Sequence, residues 1–279
     1  MNLYSNPLLF EISWKLLNRF SKVKLSNVID GIVVSVTSYP ARVHKLYQTI
    51  ESIFQQNVQP DIIHVWLAKK EFSKPSIPNS LLRLQKRGVR IDFVDENLRP
   101  YNKLYYAWQQ YPKAKIITID DDIIYPRNWL EGLMKANQTH PNDIICYRGH
   151  DLRLRDTVTL MPYKEMKRKN NLSTESSFEL MPTGVSGVLY PPGSLHEEVL
   201  NKSLFMEIVP TGDDIWFKCC ALLNNTKSRR VLPHNIHFRM VKDSQSTSLY
   251  YTNVILNKND DQLKNSFDHF NLYPFIALR

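Results

Sequence analysis

The chain has 279 residues, of which 43% are hydrophobic and 23% are charged. This composition is that of an ordinary globular protein with one large domain, and it excludes collagen-like, coiled-coil and wholly disordered chains. Lys and Arg number 36 against 27 Asp and Glu, so the formal net charge is +9. That balance favours an anionic partner such as a phospholipid surface or a phosphorylated small molecule, although a well-solvated basic surface accounts for it equally. No long Lys/Arg run occurs, and nucleic acid is therefore not favoured as a partner.

Residues 1–30 form a basic amphipathic segment. Large apolar residues from Leu8 to Phe20 are mixed with and followed by basic ones: Lys15, Arg19, Lys22 and Lys24. No apolar run reaches the about 18–20 residues of a membrane-spanning helix, and the interrupting charges are untypical of a signal peptide. The segment is either an interfacial helix on an anionic membrane or a helix that packs on its own domain or on a partner chain. The sequence favours neither.

The first half of the chain predicts alternating strands and helices. Apolar runs of β-branched residues predict strands, and apolar residues three and four apart predict helices. In chain order these elements are strand 32–36, helix 43–54, strand 62–67, helix 81–86, strand 89–93, a helix opened by residues 97–103 and running through 108, and strand 116–119. This order is typical of a parallel sheet with crossover helices, so we predict a Rossmann-like unit.

The second half is less regular. Its predicted elements are helix 129–137, strand 144–147, a loop-rich insertion 150–177 and an ordered segment 183–190. A helix that follows Gly212 is apolar nearly all round and is therefore predicted to be buried. The last forty or so residues are polar with scattered aromatics, and we interpret 246–279 as a C-terminal tail.

The cysteine pattern bears on the compartment. Cys219 and Cys220 are adjacent, Cys146 is distant from both, and no CxxC pair occurs. Three cysteines so placed predict neither a disulfide framework nor a zinc site. A reducing compartment fits this pattern best, and we expect a cytoplasmic protein.

Two acidic clusters are the strongest chemical signals. Asp120–Asp122 directly follows a predicted buried strand, where ligands of open α/β sheets bind. Three neighbouring carboxylates repel one another, and Mg²⁺ or Mn²⁺ is the natural counter-ion for such oxygen ligands. Asp213–Asp214 follows Gly212 at the start of the buried helix. The alternative for both clusters is helix capping, with Asp122 as the cap of the next helix.

Other candidates are weaker. Arg42 and Lys103 each follow a predicted strand and could balance a diphosphate, or they are ordinary surface charges. Small residues from Gly184 to Gly187 allow a backbone to approach a ligand, or they only permit a tight turn into a strand. His234 and His237 lie three residues apart, and histidines in this pattern are either metal ligands or structural.

Four short segments together resemble the GT-A class of glycosyltransferases. They are residues 34–42 after the first strand, the Asp120–Asp122 triplet that resembles the DxD motif, the small-residue segment Thr183–Gly187, and Gly212–Asp214, which resembles the acidic motif of inverting members. Their order and spacing match the class from about residue 31 to 240. The chain most resembles bacterial enzymes that assemble capsule, O-antigen or lipooligosaccharide glycans.

The resemblance implies an α/β fold with a GT-A-like, Rossmann-type mixed sheet flanked by helices in a single domain. That catalytic domain would span 31–245, with a nucleotide-binding half at 31–135 and an acceptor half at 136–245. The donor would be a nucleotide-sugar, and a UDP-sugar is the favoured candidate. The acceptor would be a glycan or a lipid-linked glycan. The net positive charge and the N-terminal amphipathic segment, rather than the resemblance, support a hypothesis about location: the protein is cytoplasmic, or peripheral on the inner face of the bacterial membrane.

The resemblance also implies roles at the donor. Thr37, Arg42 and Lys103 would line the nucleotide pocket. Asp120 and Asp121 would bind the nucleotide, with Asp120 at the ribose or at a metal-bound water.

The remaining implied roles concern the metal and the acceptor. Asp122 would ligate Mn²⁺ or Mg²⁺ at the diphosphate, with His237 as a C-terminal ligand and His234 in reserve. Asp214 would be the general base that deprotonates the acceptor, with inversion of the anomeric centre, and Asp213 would hold the acceptor. Since Asp replaces the Glu usual at the first acidic position, the choice of base between Asp213 and Asp214 stays open. A reaction that retains the anomeric configuration also stays open as an alternative.

Two rival functions remain. A sugar-nucleotide nucleotidyltransferase normally has a Gly-rich basic loop near its N-terminus, which this sequence lacks. A non-catalytic GT-A-like sugar-binding protein would have lost its acidic clusters by drift, whereas both are intact here. No P-loop, GxGxxG, HExxH or GxSxG motif is present, which argues against a P-loop NTPase, a dinucleotide dehydrogenase, a zinc protease and an α/β-hydrolase.

Overall fold

The computed structural model describes residues 7–72, 77–166, 173–242 and 258–277. Parts of the predicted insertion 150–177 and of the tail 246–279 therefore lie outside the described residues. Within the described ranges, no helix combines the length and the apolar character that crossing a membrane requires.

Most strands of the described residues join one central mixed sheet. In chain order the strands are β1 Ile32–Ser38, β2 Ile62–Ala68, β3 Arg90–Val94, β4 Lys115–Ile119, β5 Ile123–Ile124, β6 Ile144–Cys146, β7 Gly149–Asp151, β8 Leu180–Pro182, β9 Val188–Tyr190, β10 Ser228–Arg230 and β11 Arg239–Met240. Seven of them form the sheet in the order β10-β6-β9-β4-β1-β2-β3, while β5 pairs with β11 and β7 with β8. The predicted α/β class with a mixed sheet is confirmed.

The first half has the predicted parallel topology. Strand β1 pairs in parallel with β2 on one side and with β4 on the other, and Val33 lies opposite both Ile62 and Ile116. Alternate residues of β1 serve opposite faces, since Val33 joins one core cluster and Val34 the other. Strand β9 is antiparallel to both β4 and β6. The turn into β9 needs glycine, because Gly187 has φ of 86° and a Cβ there would lie 2.5 Å from the Trp129 ring.

Helices cover both faces of the sheet. They are α1 Pro7–Phe20, α2 Pro40–Val43, α3 Leu46–Phe54, α4 Asn79–Gln85, α5 Asn102–Gln110, α6 Trp129–Thr139, α7 Tyr163–Met166, α8 Lys202–Ile208, α9 Asp213–Leu223, α10 Lys258–Phe270 and α11 Pro274–Ala277. One core cluster holds side chains of α5, α8, α9 and α10, and the other holds those of α1, α3, α4 and α6. Helix α9 is buried nearly all round, as predicted.

Three details differ from the sequence-based expectations. The predicted helix 43–54 is two helices, α2 and α3, separated by His44 and Lys45. The insertion 150–177 contains the last two residues of β7, which pairs with β8 beyond the insertion, and the short helix α7. Within the segment interpreted as a tail, α10 packs on α9 and buries Leu263 and Phe267. The sequence did not predict α10 because its mean hydropathy is low. Only one narrow face of the helix is buried, and a few apolar side chains are enough for that.

Candidate active site

A cleft of about 970 Å³ lies at the carboxyl ends of β1 and β4. The carboxyl ends of parallel strands meet at one edge of a sheet, which is where α/β proteins bind ligands. The lining includes every residue that the sequence nominates for the donor, metal and base: Thr37, Arg42, Lys103, Asp120, Asp121, Asp122, Asp213, Asp214 and His237. His234 is exposed and does not line the cleft.

Arg42 neutralises two members of the aspartate triplet. Its NH1 lies 2.9 Å from Oδ1 of Asp121 and 3.0 Å from Oδ2 of Asp122. The Ser38 hydroxyl donates to the other oxygen of Asp121 at 2.6 Å. Burial raises the pKa of Asp121, while the hydrogen bond from Ser38 and the charge of Arg42 pull it down. Arg42 is positioned by α2, whose first residue is Pro40, a favoured residue at that place in a helix.

Lys103 links the two acidic clusters. Its Nζ lies 3.1 Å from Oδ1 of Asp120 and 3.3 Å from Oδ2 of Asp213. Burial alone would lower the pKa of Lys103, but the charges of Asp120, Asp213 and Asp214 outweigh it and hold that pKa well above its ordinary value. The lysine therefore stays a cation at physiological pH, with carboxylates on both sides of the cleft floor.

Asp214 stands in the first turn of α9, where it is partly exposed at the cleft. The backbone N–H of Gly184 donates to both of its carboxylate oxygens, at 3.1 and 3.2 Å. Burial and the neighbouring charge of Asp213 raise the pKa of Asp214 to about 7, against the opposing effect of Lys103. Burial also raises the pKa of Asp213. Titratable groups shifted this far cluster at catalytic sites.

The backbone of Gly184 closely approaches two charged side chains of the cleft. A Cβ on this residue would lie 2.8 Å from Nζ of Lys103 and 3.4 Å from Oδ1 of Asp214. The small-residue segment Thr183–Gly187 thus brings its backbone against the lysine and the acidic pair. This placement is consistent with the expectation that the small residues let the backbone come close to a ligand in the cleft.

The wall beside the triplet comes from residues 237–241. Strand β11 pairs with β5, and the N–H of Val241 donates to the carbonyl oxygen of Asp122 at 2.7 Å. Arg148 Nε donates to Nε2 of His237 at 3.2 Å, and its NH1 donates to the Thr183 hydroxyl at 2.6 Å. Ser38 and Arg148 also line the cleft, and neither was predicted to do so. Ser38 follows the predicted strand 32–36 by two residues and Arg148 directly follows the predicted strand 144–147, and a position just after a strand is the signal that could have indicated both.

The cleft is rich in the carboxylate oxygens that hard divalent cations bind. Among the described residues, six Asp and Glu side chains line the cleft against four Lys and Arg side chains. Carboxylate oxygens in excess of cations are the environment that Mg²⁺ and Mn²⁺ prefer. Within the described ranges, however, no three His, Cys, Asp or Glu side chains are arranged to hold a metal. Asp122 and His237 both reach the cleft, but they contact Arg42 and Arg148 respectively, so their role as a shared ligand pair stays a prediction.

Comparison with solved structures places the fold among glycosyltransferases. The mannosyltransferase PcManGT from Pyrobaculum calidifontis, in complex with GDP-Man and Mn²⁺, is 12% identical, with a TM-score of 0.50 over 98% of this chain and 80% of that chain. TarS 1–349 of S. aureus is 13% identical with a TM-score of 0.45 over 77% of this chain. A structure of the same TarS fragment in complex with UDP gives the same values. This chain spans 58% of the TarS fragment. No curated protein matches the chain by sequence.

The family model for Glycosyl transferase family 2 matches residues 34–182, which begin in β1 and end in β8. The match contains Arg42, Lys103 and the aspartate triplet, and it covers more than half of the chain. The resemblance to GT-A glycosyltransferases drawn from the sequence is thereby confirmed, and the chain belongs to Glycosyl transferase family 2.

Proposed function

We propose that this chain transfers a sugar from a nucleotide-sugar donor to a hydroxyl of a glycan or lipid-linked glycan acceptor. A UDP-sugar is the first candidate for the donor. The reaction would be one step in the synthesis of a bacterial surface polysaccharide. Family membership supports the reaction class, and the charged cleft at the carboxyl edge of the sheet supports a donor with a diphosphate.

The observation that carries the proposal is the state of Asp214. A general base works best when its pKa lies near the working pH, and burial beside Asp213 raises the pKa of Asp214 to about 7. Asp213 forms an ion pair with Lys103, whereas Asp214 accepts a hydrogen bond from the single backbone N–H of Gly184 and is partly exposed at the cleft. This difference favours Asp214 as the base and Asp213 as the residue that fixes Lys103 and the acceptor.

The proposed reaction is a single displacement. Asp214 takes the proton of the acceptor hydroxyl as its oxygen bonds to the anomeric carbon. The bond from that carbon to the diphosphate breaks on the opposite face, and the nucleotide diphosphate leaves with the electron pair. The anomeric centre is inverted, as it is in other single displacements at this carbon.

Thr37, Arg42 and Lys103 line the side of the cleft where we place the nucleotide, together with Asp120 and Asp121. Asp122 would hold Mn²⁺ or Mg²⁺, with His237 as its second ligand. Such a cation, when bound, supplies Lewis-acid stabilisation of the leaving diphosphate. The Mn²⁺ in the structure of the mannosyltransferase PcManGT supports this choice of metal.

Calorimetric titration tests the donor site. UDP, GDP and CMP are titrated with and without Mn²⁺ into the wild type and into Asp122→Ala. We expect one nucleotide to bind in a Mn²⁺-dependent way and the variant to lose that dependence. If no nucleotide binds the folded wild type, the proposal of glycosyl transfer fails. Binding that is equally strong without metal would overturn the metal-dependent form alone.

A second test addresses the base. Asp214→Asn should bind the nucleotide as the wild type does, yet hydrolyse or transfer the donor sugar about 10²–10⁴-fold more slowly. NMR of the product reports its anomeric configuration. A retained configuration would rule out the single displacement.

A further inference from the structure

Helix α1 is attached to the domain by one face. Phe10 and Trp14 are buried and meet edge to face, with ring centroids 5.6 Å apart. One turn further, the amide of buried Asn18 donates to Glu51 Oε1 at 3.2 Å and to the Ser80 carbonyl at 3.1 Å. The spacing of four residues places these three side chains in one row. This row, with the partly buried Leu17 beside it, is the face by which α1 packs on α3 and α4.

A second row of apolar side chains faces solvent, and we call it the outer stripe. It consists of Leu9, Ile12, Leu16 and Phe20, which are 38%, 40%, 52% and 65% exposed. Spacings of three and four residues align them along the helix, on the side away from Trp14. Singly scattered exposed apolar residues are ordinary, but a continuous stripe marks a surface that binds something apolar.

Basic side chains border the outer stripe. Lys15 and Arg19 lie in the helix beside Ile12 and Leu16, and Lys22 and Lys24 follow its last turn. The one acidic residue of the helix, Glu11, pairs with Lys15 at 3.0 Å. Apolar side chains flanked by lysine and arginine are the pattern of a helix that lies in the interface of an anionic bilayer.

We propose that the outer stripe binds the surface of an anionic phospholipid membrane, with the basic side chains at the lipid headgroups. Charge complementarity selects this occupant over a second copy of the chain. In a two-fold dimer the same patch meets itself, so two patches that each carry four basic residues against one acidic residue would be brought together and would repel each other.

The position of α1 brings the membrane close to the cleft. The Arg239 guanidinium lies over the Phe10 ring, 3.7 Å from its centroid. The next residue, Met240, is exposed and lines the cleft. Because Phe10 lies on the face of α1 opposite the outer stripe, a bilayer on that stripe would lie about one helix diameter, roughly 10 Å, from this part of the cleft rim. At that distance it could present the sugar of a lipid-linked acceptor. This last step rests on the proposed function, whereas membrane binding itself does not.

Vesicle sedimentation of the full chain tests the proposal without any assay of activity. Vesicles of phosphatidylcholine alone are compared with vesicles that also contain phosphatidylglycerol. We expect binding only to the anionic vesicles. Leu16→Glu should weaken it at least about tenfold, since a large apolar side chain leaves the interface. Lys15→Gln and Arg19→Gln should each weaken it roughly fivefold.

Met206→Glu is the matched control, because Met206 is a 37% exposed apolar residue on another helix, α8. It should sediment like the wild type. Circular dichroism and nucleotide calorimetry verify that each variant is folded. Equal sedimentation of the wild type and Leu16→Glu, or equal binding to both kinds of vesicle, would overturn the proposal. So would a wild-type dimer in light scattering that Leu16→Glu converts into a monomer.

Discussion

Replacing Asp214 by asparagine should stabilise the protein in a pH-dependent way. Burial and the charge of Asp213 raise the pKa of this carboxyl from 3.8 to about 7. In the unfolded chain it ionises near its ordinary value, so between about pH 4 and pH 7 the folded state retains a proton that the unfolded state has lost. The wild type consequently loses stability as the pH rises through this window, and a residue that cannot ionise escapes the loss.

The magnitude follows from the shift. About three pKa units at about 1.4 kcal/mol each give a ceiling of roughly 4 kcal/mol, and the partial exposure of Asp214 at the cleft reduces this to about 2–3 kcal/mol. Asparagine preserves the shape, and its amide oxygen can accept the Gly184 N–H bond. We therefore expect the stability difference between Asp214→Asn and the wild type to grow from nothing near pH 4 to that value above pH 7.

Urea unfolding followed by tryptophan fluorescence measures this difference across the pH range. Asp156→Asn is the control of opposite sign. The backbone N–H of Val158 and the Thr159 hydroxyl lower the pKa of Asp156, so its replacement should cost stability at neutral pH and nothing at acidic pH. A difference between Asp214→Asn and the wild type that stays flat with pH would refute the raised pKa and remove the physical basis for Asp214 as the base.

Three further variants test other parts of the structure. Gly184→Ala should push Nζ of Lys103 away from the acidic pair and lower turnover at least about tenfold in initial-rate assays, with little change in melting temperature because only a flexible side-chain end must move. Arg42→Gln leaves Asp121 and Asp122 without their cation and should cost about 3 kcal/mol in urea unfolding at neutral pH, with a smaller loss at acidic pH, where the carboxyls protonate. Lys218→Met should stabilise the protein, because burial lowers the pKa of Lys218 to about 7 and its Nζ has no hydrogen-bond partner among the described residues. That gain should grow as the pH falls from about 10 to 7 and then level off, since both states are protonated below that window; a gain independent of pH would contradict it.

The first half of the fold was predictable because its signals are local. Strands such as Ile62–Ala68 are continuous apolar runs, and fully buried parallel strands carry that signature. Rules of connection then place the ends of β1 and β4 at one edge, which brings Arg42 and the aspartate triplet together. The antiparallel pairing of β9 could not be predicted, since a strand of three residues is too short to show a periodic pattern. The contact of Arg148 with His237 could not be predicted either, because the two residues are far apart in the sequence.

The sequence allowed the prediction that the site residues lie in one cleft, but it did not allow prediction of how they pair. The sequence nominates Lys103 as a ligand of the diphosphate, whereas the structure shows it between Asp120 and Asp213. Likewise, Asp122 was nominated as a metal ligand, and the structure adds Arg42 beside it. Electrostatic partners depend on distances of a few ångströms across the sheet edge, and no spacing in the sequence encodes them.

The pairing of β11 with β5 has a consequence for how the protein is made. During synthesis, β1 to β4 leave the ribosome long before Arg239 and Met240, which close the wall beside the aspartate triplet. Contacts this distant in sequence form late, because the intervening chain must first be ordered. A nascent chain can thus build its sheet while the cleft is still incomplete, and a ligand of the cleft can stabilise the protein fully only after Arg239 and Met240 have paired with β5. Ligand-dependent resistance to proteolysis would therefore report closure of this wall of the cleft rather than collapse of the core.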